Sequence, residues 1–462
     1  MTSYKFTKHA RGPLSACWGR FLKGWRHFLA VARHRIGAYQ RRAGDLHHTL
    51  VRCNRHLRYL LCFGLSVSSV FALTLEQAIQ RAEAGNFGLD ALHQQRVGAR
   101  ERIAGAAALP DPKIQYTYFG ESVETRTGPQ EAIYSMSQTI PWLKKLETRK
   151  ALATSNADTW SFLHQQGVLA LRRDVTSVYS EVVYQDQAVQ STEANLQLID
   201  DMRAIVEERV RGGGSLNALL RLEVELERTR DQLDRYKQAR YVKRTELAAL
   251  LSIEESALGA LTAESPASRT LPSLRSMLAT LEMQNPELLA LKQRTGSASQ
   301  RADLSQLDQY PDFTFGVNYI QVGDNGPASD AGTDPWSVSM AVSLPIWGSK
   351  NSAAIQAANA DKRSAEQLYR DRVLQLKAEL SATLAAHADG SQRVQRYAER
   401  LIPLAEQALE NSRSAYESDQ LSVLELIDSE RALLEINLNY ARAVANVTQA
   451  DAALNALTGA IH

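Results

Sequence analysis

Cysteine is almost missing from this chain. There are three in 462 residues, at Cys17, Cys53 and Cys62. If the segment that holds them is removed, the remaining chain has neither thiol nor disulfide, and its stability must come from packing and assembly. Acid is just as scarce in that same segment. Residues 1–72 carry 13 Lys and Arg against the single acid Asp45, while the rest of the chain carries a balance of −10. The overall charge of +2 therefore describes neither part, and it gives no ground for nucleic-acid binding. Histidine beyond residue 72 is limited to His93, His164, His387 and His462, without metal-ligand spacing. No Ser/His/Asp, Cys/His or paired-carboxylate constellation stands out, so no catalytic residue, resident metal or cofactor is expected. Long apolar runs are absent too. Tyr59–Phe71 spans thirteen residues, short of the roughly 20 that a membrane helix needs. With the basic edge His56-Leu57-Arg58 before it and Val70-Phe71-Ala72 after it, the run reads as an export signal cleaved between Ala72 and Leu73. Residues 1–50 read either as a basic surface-binding arm or as sequence upstream of a start near Val51.

Proline is missing from Leu143 to Val210, which permits one very long helix. Elsewhere the pattern switches to a period of two. In Trp336–Pro345, Trp336, Val338, Met340, Val342 and Leu344 alternate with Ser337, Ser339, Ala341 and Ser343. That is a β-strand with one apolar and one small polar face, as suits lipid on one side and a wet lumen on the other. Ile114, Tyr116 and Tyr118 alternate in the same way, as do Phe313, Phe315, Val317 and Tyr319. The segments recur in order: Asn86–Leu89 and Asn285–Leu288 at an offset of 199, Ile140-Pro141-Trp142 and Leu344–Trp347 at 204, Leu216–Leu219 and Leu421–Leu424 at 205. Offsets that creep upward in order indicate duplication with small insertions. The organisation expected is a basic extension and signal over 1–72, a first repeat over 73–251, a linker over 252–272 and a second repeat over 273–462. Strands are expected near 112–120, 131–141, 311–322 and 335–345, and long helices over 143–210, 216–251, 350–417 and 421–459. Heptad-like seams at Leu171, Val175, Val178 and Val182, and at Leu424, Ile427, Arg431, Leu434 and Leu438, point to paired antiparallel helices. Four strands cannot close a barrel alone, and open edges cannot face lipid, so several chains must share one.

The duplicated order, the proline-bounded strands, Asn285-Pro286-Glu287-Leu288 and the segment Tyr416–Glu430 together resemble the TolC family of outer-membrane efflux channels over residues 73–462. The resemblance implies an α+β membrane protein: a homotrimer with a twelve-stranded transmembrane β-barrel, four strands per chain, continued by a long periplasmic α-helical coiled-coil barrel. It implies an exit duct in the bacterial outer membrane, served by a periplasmic adaptor (membrane fusion) protein and an inner-membrane transporter of the resistance-nodulation-division (RND) type. The segment Met136–Trp142 with Lys144-Lys145 is similar to members serving heavy-metal exporters, so heavy-metal cations are the expected cargo, with organic toxicants as the alternative. A soluble periplasmic coiled-coil scaffold is the rival of another class. By the same resemblance, Glu425 and Asp428, joined by Glu223, would form the pore constriction as stacked acidic rings with raised proton affinity. Leu421 occupies the place where the family often carries a basic residue. Gly212, Gly213, Gly214, Ser215, Asp419 and Gln420 are expected at partner-contacting helix tips, and Trp142, Tyr310, Tyr319, Trp336 and Trp347 at the membrane interfaces.

Overall fold

The computed structural model describes residues 72–263, 271–324, 332–418 and 420–459. The export signal and basic extension lie outside the described residues apart from Ala72, and Asp419 lies outside them too.

Helix starts are fixed by local chemistry. Thr74 caps α1 (Leu75–Gly85) through a capping box with Gln77, and Asn86 caps α2 (Phe87–Ala107). Strands β1 (Lys113–Val123) and β2 (Gln130–Ile140) follow, then α3 (Leu143–Arg211) and α4 (Leu216–Leu250). The second half repeats the series as α5 (Leu274–Gln284), α6 (Pro286–Leu307), β3 (Asp312–Val322), β4 (Trp336–Ser343), α7 (Gly348–Arg396), α8 (Ile402–Glu417) and α9 (Val423–Thr458). At 69 residues, α3 is on the order of 100 Å long.

The duplication extends to individual contacts. Ser273 and Asn285 cap α5 and α6, each 199 residues after its counterpart. The Asn86 side chain donates to the Leu250 carbonyl at 3.1 Å, and that of Asn285 to the Leu457 carbonyl at 2.9 Å. Each asparagine thus starts one helix and satisfies an orphan carbonyl at the end of another. The ion pair of Glu83 with Arg172 recurs as Glu282 with Lys377. At the far end, α4 and α9 start from Ser215 and Ser422, an offset of 207 where sequence matching gives 205.

Three differences from the sequence reading have physical causes. The seam Leu171, Val175, Val178 and Val182 packs on Ala78 and Ala82 of α1 and on Leu247 and Leu251, so it is a local core and not a coiled-coil seam. The helix expected over 350–417 is broken by a π-turn at Tyr397–Leu401, just ahead of Pro403. Proline removes a backbone donor and crowds the preceding turn, and the wider turn absorbs this. Residues 252–263 are not slack linker. The Leu73 amide donates to the Ala260 carbonyl at 2.7 Å, Leu258 is buried, and the Tyr179 hydroxyl donates to the carbonyls of Leu73 and Thr262 at 2.7 and 2.9 Å.

The helices form a layer in which α3 packs against α2, α4, α6 and α9, and α7 against α6 and α9. The strands form one antiparallel sheet in the order β1-β2-β3-β4. The outer edges of β1 and β4 have no partner among the described strands.

Candidate functional site: the sheet faces and the helical tips

The strand register aligns the alternation across all four strands. Ile114, Met136, Val317 and Val338 form one row, followed by Phe315 with Met340 and Phe313 with Val342. These are apolar and on one face, interrupted by Gln138, the β2 partner of Phe315. The intervening rows are Ser135, Asn318 and Ser337; then Ser137, Gly316 and Ser339; then Thr139, Thr314 and Ala341. Small polar groups there bond one another, with Asn318 donating to Ser337 Oγ at 3.2 Å and the Thr139 and Thr314 hydroxyls 2.9 Å apart. Met136, Val317, Val338 and Met340 are all more than half exposed on the single chain. An apolar face this open needs a non-aqueous neighbour.

Aromatic residues bound that face at both ends. Tyr116, Tyr134, Tyr319 and Trp336 are register partners in one unbroken row at the loop end. Tyr116 and Tyr134 rings lie 5.1 Å apart, Tyr134 and Tyr319 rings 6.2 Å. At the helix end, Trp142 stacks on Tyr310 at 5.3 Å, and Trp347 follows β4. Thus Tyr319 and Trp336 fall on one belt, and Trp142, Tyr310 and Trp347 on the other. The sequence reading missed Tyr116 and Tyr134, because only inter-strand register brings them into line. From Tyr134 to Trp142 is about 27 Å along the strand, or about 21 Å at a tilt of ~40°. That is close to the ~25 Å apolar band of outer-membrane barrels.

Below the sheet, Lys145 in the first turn of α3 is 3% exposed. Its Nζ donates to Asp312 Oδ1 at 2.8 Å and to the Tyr310 carbonyl at 2.9 Å. The Trp142 amide donates to the same carboxylate oxygen at 3.1 Å. This ties the start of α3 to the start of β3, joining the two repeats where strand becomes helix.

At the other end, α3–α4 and α8–α9 form two hairpin tips. Gly213 takes a left-handed φ of 102°, and Gly212, Gly213 and Gly214 amides donate to carbonyls of Glu208, Val210 and Arg209. These glycines close the last turn of α3. The Gln420 amide donates to the Ala415 carbonyl at 2.8 Å. The tips share a core of Ile199, Met202, Val206, Leu222, Leu226 and Tyr416 with Val423, Leu426 and Ile427. Arg209 sits 4.4 Å over the Tyr416 ring, and Arg431 of α9 donates to Glu225 of α4 at 3.2 Å.

The expected constriction residues lie in this region. Glu425 is the third residue of a capping box: the Ser422 amide and hydroxyl donate to its Oε2 at 3.0 and 2.8 Å. Those bonds, the backbone one first, hold its carboxyl below the usual range. Within one chain that is the reverse of the raised proton affinity expected for an acidic ring. Asp428 is exposed and pairs with Arg431 at 3.4 Å, and Glu223 lies 3.9 Å from Arg203. Counted from the N-caps, Glu425 and Asp428 correspond to Ala218 and Arg221, and Glu223 corresponds to Glu430. Sequence reasoning overlooked Glu430. It is 4% exposed, its Oε2 has no hydrogen-bond partner among the described residues, and burial pushes its carboxyl up to about 7 against a smaller opposing effect of Arg413. Among the described residues, no group of three or more His, Cys, Asp or Glu is placed to hold a metal ion.

Such a sheet, two-faced, belted with aromatics and open at both edges, set on a helix of about 100 Å, defines a class: an outer-membrane channel protein. Comparison with known proteins agrees. Residues 278–460 match the family model described as outer membrane efflux protein. The pyoverdine export outer membrane protein OpmQ of Pseudomonas putida is 23% identical over 398 residues, covering 82% of this chain and 84% of OpmQ. The CmeC outer membrane channel of Campylobacter jejuni superposes with a TM-score of 0.73 at 13% identity, over 83% of this chain and 85% of CmeC. CusC does so with a TM-score of 0.72 at 16% identity, over 83% and 91%. The second repeat carries the family sequence, and the first is its structural counterpart. Residues 278–460 thus carry the sequence of the outer membrane efflux proteins, and over most of its length the chain is similar to TolC-like efflux channels of the outer membrane.

Proposed function

We propose that three copies of this chain close a twelve-stranded barrel and continue as a helical duct into the periplasm, forming the passive exit of a tripartite efflux system. The observation that carries this reading is the sheet: bare edges on β1 and β4, an apolar face between two aromatic belts, and a small polar face behind it. Three such sheets joined edge to edge leave no unpaired strand in lipid. In this reading residues 73–251 and 273–462 are the two repeats, with export cleavage between Ala72 and Leu73. Trp142, Tyr310, Tyr319, Trp336 and Trp347 sit at the membrane interfaces. The duct binds no cofactor and performs no catalysis.

The tips at Gly212, Gly213, Gly214, Ser215, Asp419 and Gln420 meet a periplasmic adaptor, and through it an inner-membrane RND-type transporter that supplies the energy. Heavy-metal cations are the cargo favoured by the segment from Met136 to Lys145. They would pass through a wet duct without being chelated. Organic solutes are the second reading, favoured by similarity to a protein named for pyoverdine export. Glu425, Asp428 and Glu223 would narrow the periplasmic end. Replacing Glu425 and Asp428 together by Ala is expected to raise single-channel conductance or weaken cation preference in planar bilayers. Unchanged currents and unchanged reversal potentials would remove both from the constriction.

A further inference from the structure

A groove of about 660 Å³ crosses the helical layer close to the sheet, lined by parts of α2, α3, α6 and α7. Three arginines converge on it: Arg102 of α2, and Arg294 and Arg301 of α6. Arg102 and Arg301 are repeat counterparts, 199 residues apart. Arg294 stands two turns from Arg301 on the same helix face, about 10 Å along the axis. None of the three has an ion-pair or hydrogen-bond partner among the described residues. Asp361 is the one acid among the described lining residues. Trp160 and Leu163 supply an apolar wall, while Asn156 and Ser297 supply neutral polar groups, with Ser297 Oγ 3.2 Å from Asn156 Oδ1. In a chain whose charge beyond residue 72 is −10, an unpaired basic groove is a local feature and not the average surface.

Helix geometry assigns the groove to a face. On α2, Asp90 and His93 line the cleft that also contains Glu83 and Ala84 of α1. Arg102 is nine residues from His93, half a turn round the helix at ~100° per residue, and Ala106 stands nearly as far round from Asp90. On α2 the groove and that cleft therefore lie on opposite sides of the helix.

We propose that this groove binds organic anions carrying two or more carboxylates, and that in the assembled duct it faces the lumen. The luminal part rests on the duct reading above. Guanidinium groups on neighbouring helices suit such a ligand, because each can take a carboxylate in a two-bonded fork. The spacing of Arg294 and Arg301 separates two carboxylates by about the length of a small molecule, whose apolar part lies on Trp160. Such a site goes with the second reading of the cargo, organic solutes, in the form of anions, and not with free heavy-metal cations.

The test uses citrate as probe on the detergent-extracted protein, by titration calorimetry and by conductance of reconstituted pores in KCl. Wild-type protein is expected to bind citrate and to lose conductance as it is added. The triple variant R102Q/R294Q/R301Q is expected to bind at least tenfold more weakly and to escape the block. The single variant R294Q, the mildest change, is expected to bind about threefold more weakly. Pores that conduct while wild-type and triple-variant proteins respond to citrate alike would overturn the site and leave the duct standing. Protein that forms no pores would overturn the duct reading and the luminal site with it.

Discussion

Replacing Lys145 with Met should destabilise the protein by about 3 kcal/mol per chain. The ammonium is buried, and its bonds to Asp312 and to the Tyr310 carbonyl run between the two repeats. A lysine in the first turn of a helix is opposed by the helix dipole, so its presence there is accounted for by those partners. The Met side chain fills similar volume but leaves the Asp312 carboxylate with the Trp142 amide and only the weaker, unbonded attraction of Arg149. Breaking one side of a buried pair costs about 3–5 kcal/mol, and the lower end applies because the Asp312 side chain keeps 30% of its surface exposed. Denaturant unfolding followed by circular dichroism in detergent would show the midpoint falling. The double variant K145M/D312N should recover part of the loss, since the orphaned charge is gone. A K145M protein that unfolds with the wild type would show that the junction carries no stability.

The second large effect concerns pH. Burial raises the Glu430 carboxyl to about 7, well above its ordinary value. Below the ordinary carboxylate range, folded and unfolded chains both hold the proton. Between that range and about pH 7 the folded chain keeps a proton that the unfolded chain has released, so stability falls as pH rises. Above pH 7 the penalty is fully developed, roughly 3 kcal/mol per chain for a shift of this size. Glu430→Gln keeps the neutral shape and cannot ionise. At pH 8 it should be more stable than wild type, and at pH 4.5 equal to it. Parallel pH profiles for the two proteins would mean that Glu430 ionises without cost, in contact with Arg413 or water.

The parts of this fold legible in the sequence are those decided by local pattern. Alternation in Trp336–Pro345 marks a strand whichever neighbour it meets, and the recurrence of Asn86 at Asn285 marks a repeated helix start. Register is not local. The row Tyr116, Tyr134, Tyr319 and Trp336 exists because β2 pairs with β3 across some 180 residues of sequence. The tip shows the same limit. Ser422 and Glu425 have capping-box spacing, a signal present in the sequence, yet the resemblance drew attention to Glu425 as a ring residue. Seam counting put Arg431 toward the partner helix, where it does reach Glu225. It gave no sign that the adjacent Glu430 is the residue sealed from water. Burial there depends on how two hairpins from different repeats meet, and no window of sequence contains both. Likewise, the π-turn before Pro403 had a visible cause in the proline, while its form depends on how the helix relieves the crowding.

The central claim is that the bare edges of β1 and β4 are paired between chains inside the outer membrane. Fractionation of native membranes, followed by sizing of the detergent-extracted protein, tests it most directly. The account predicts a trimer extracted from the outer-membrane fraction. A monomer or dimer recovered in the soluble periplasmic fraction without detergent would contradict it, because the apolar face of the sheet would then never meet lipid.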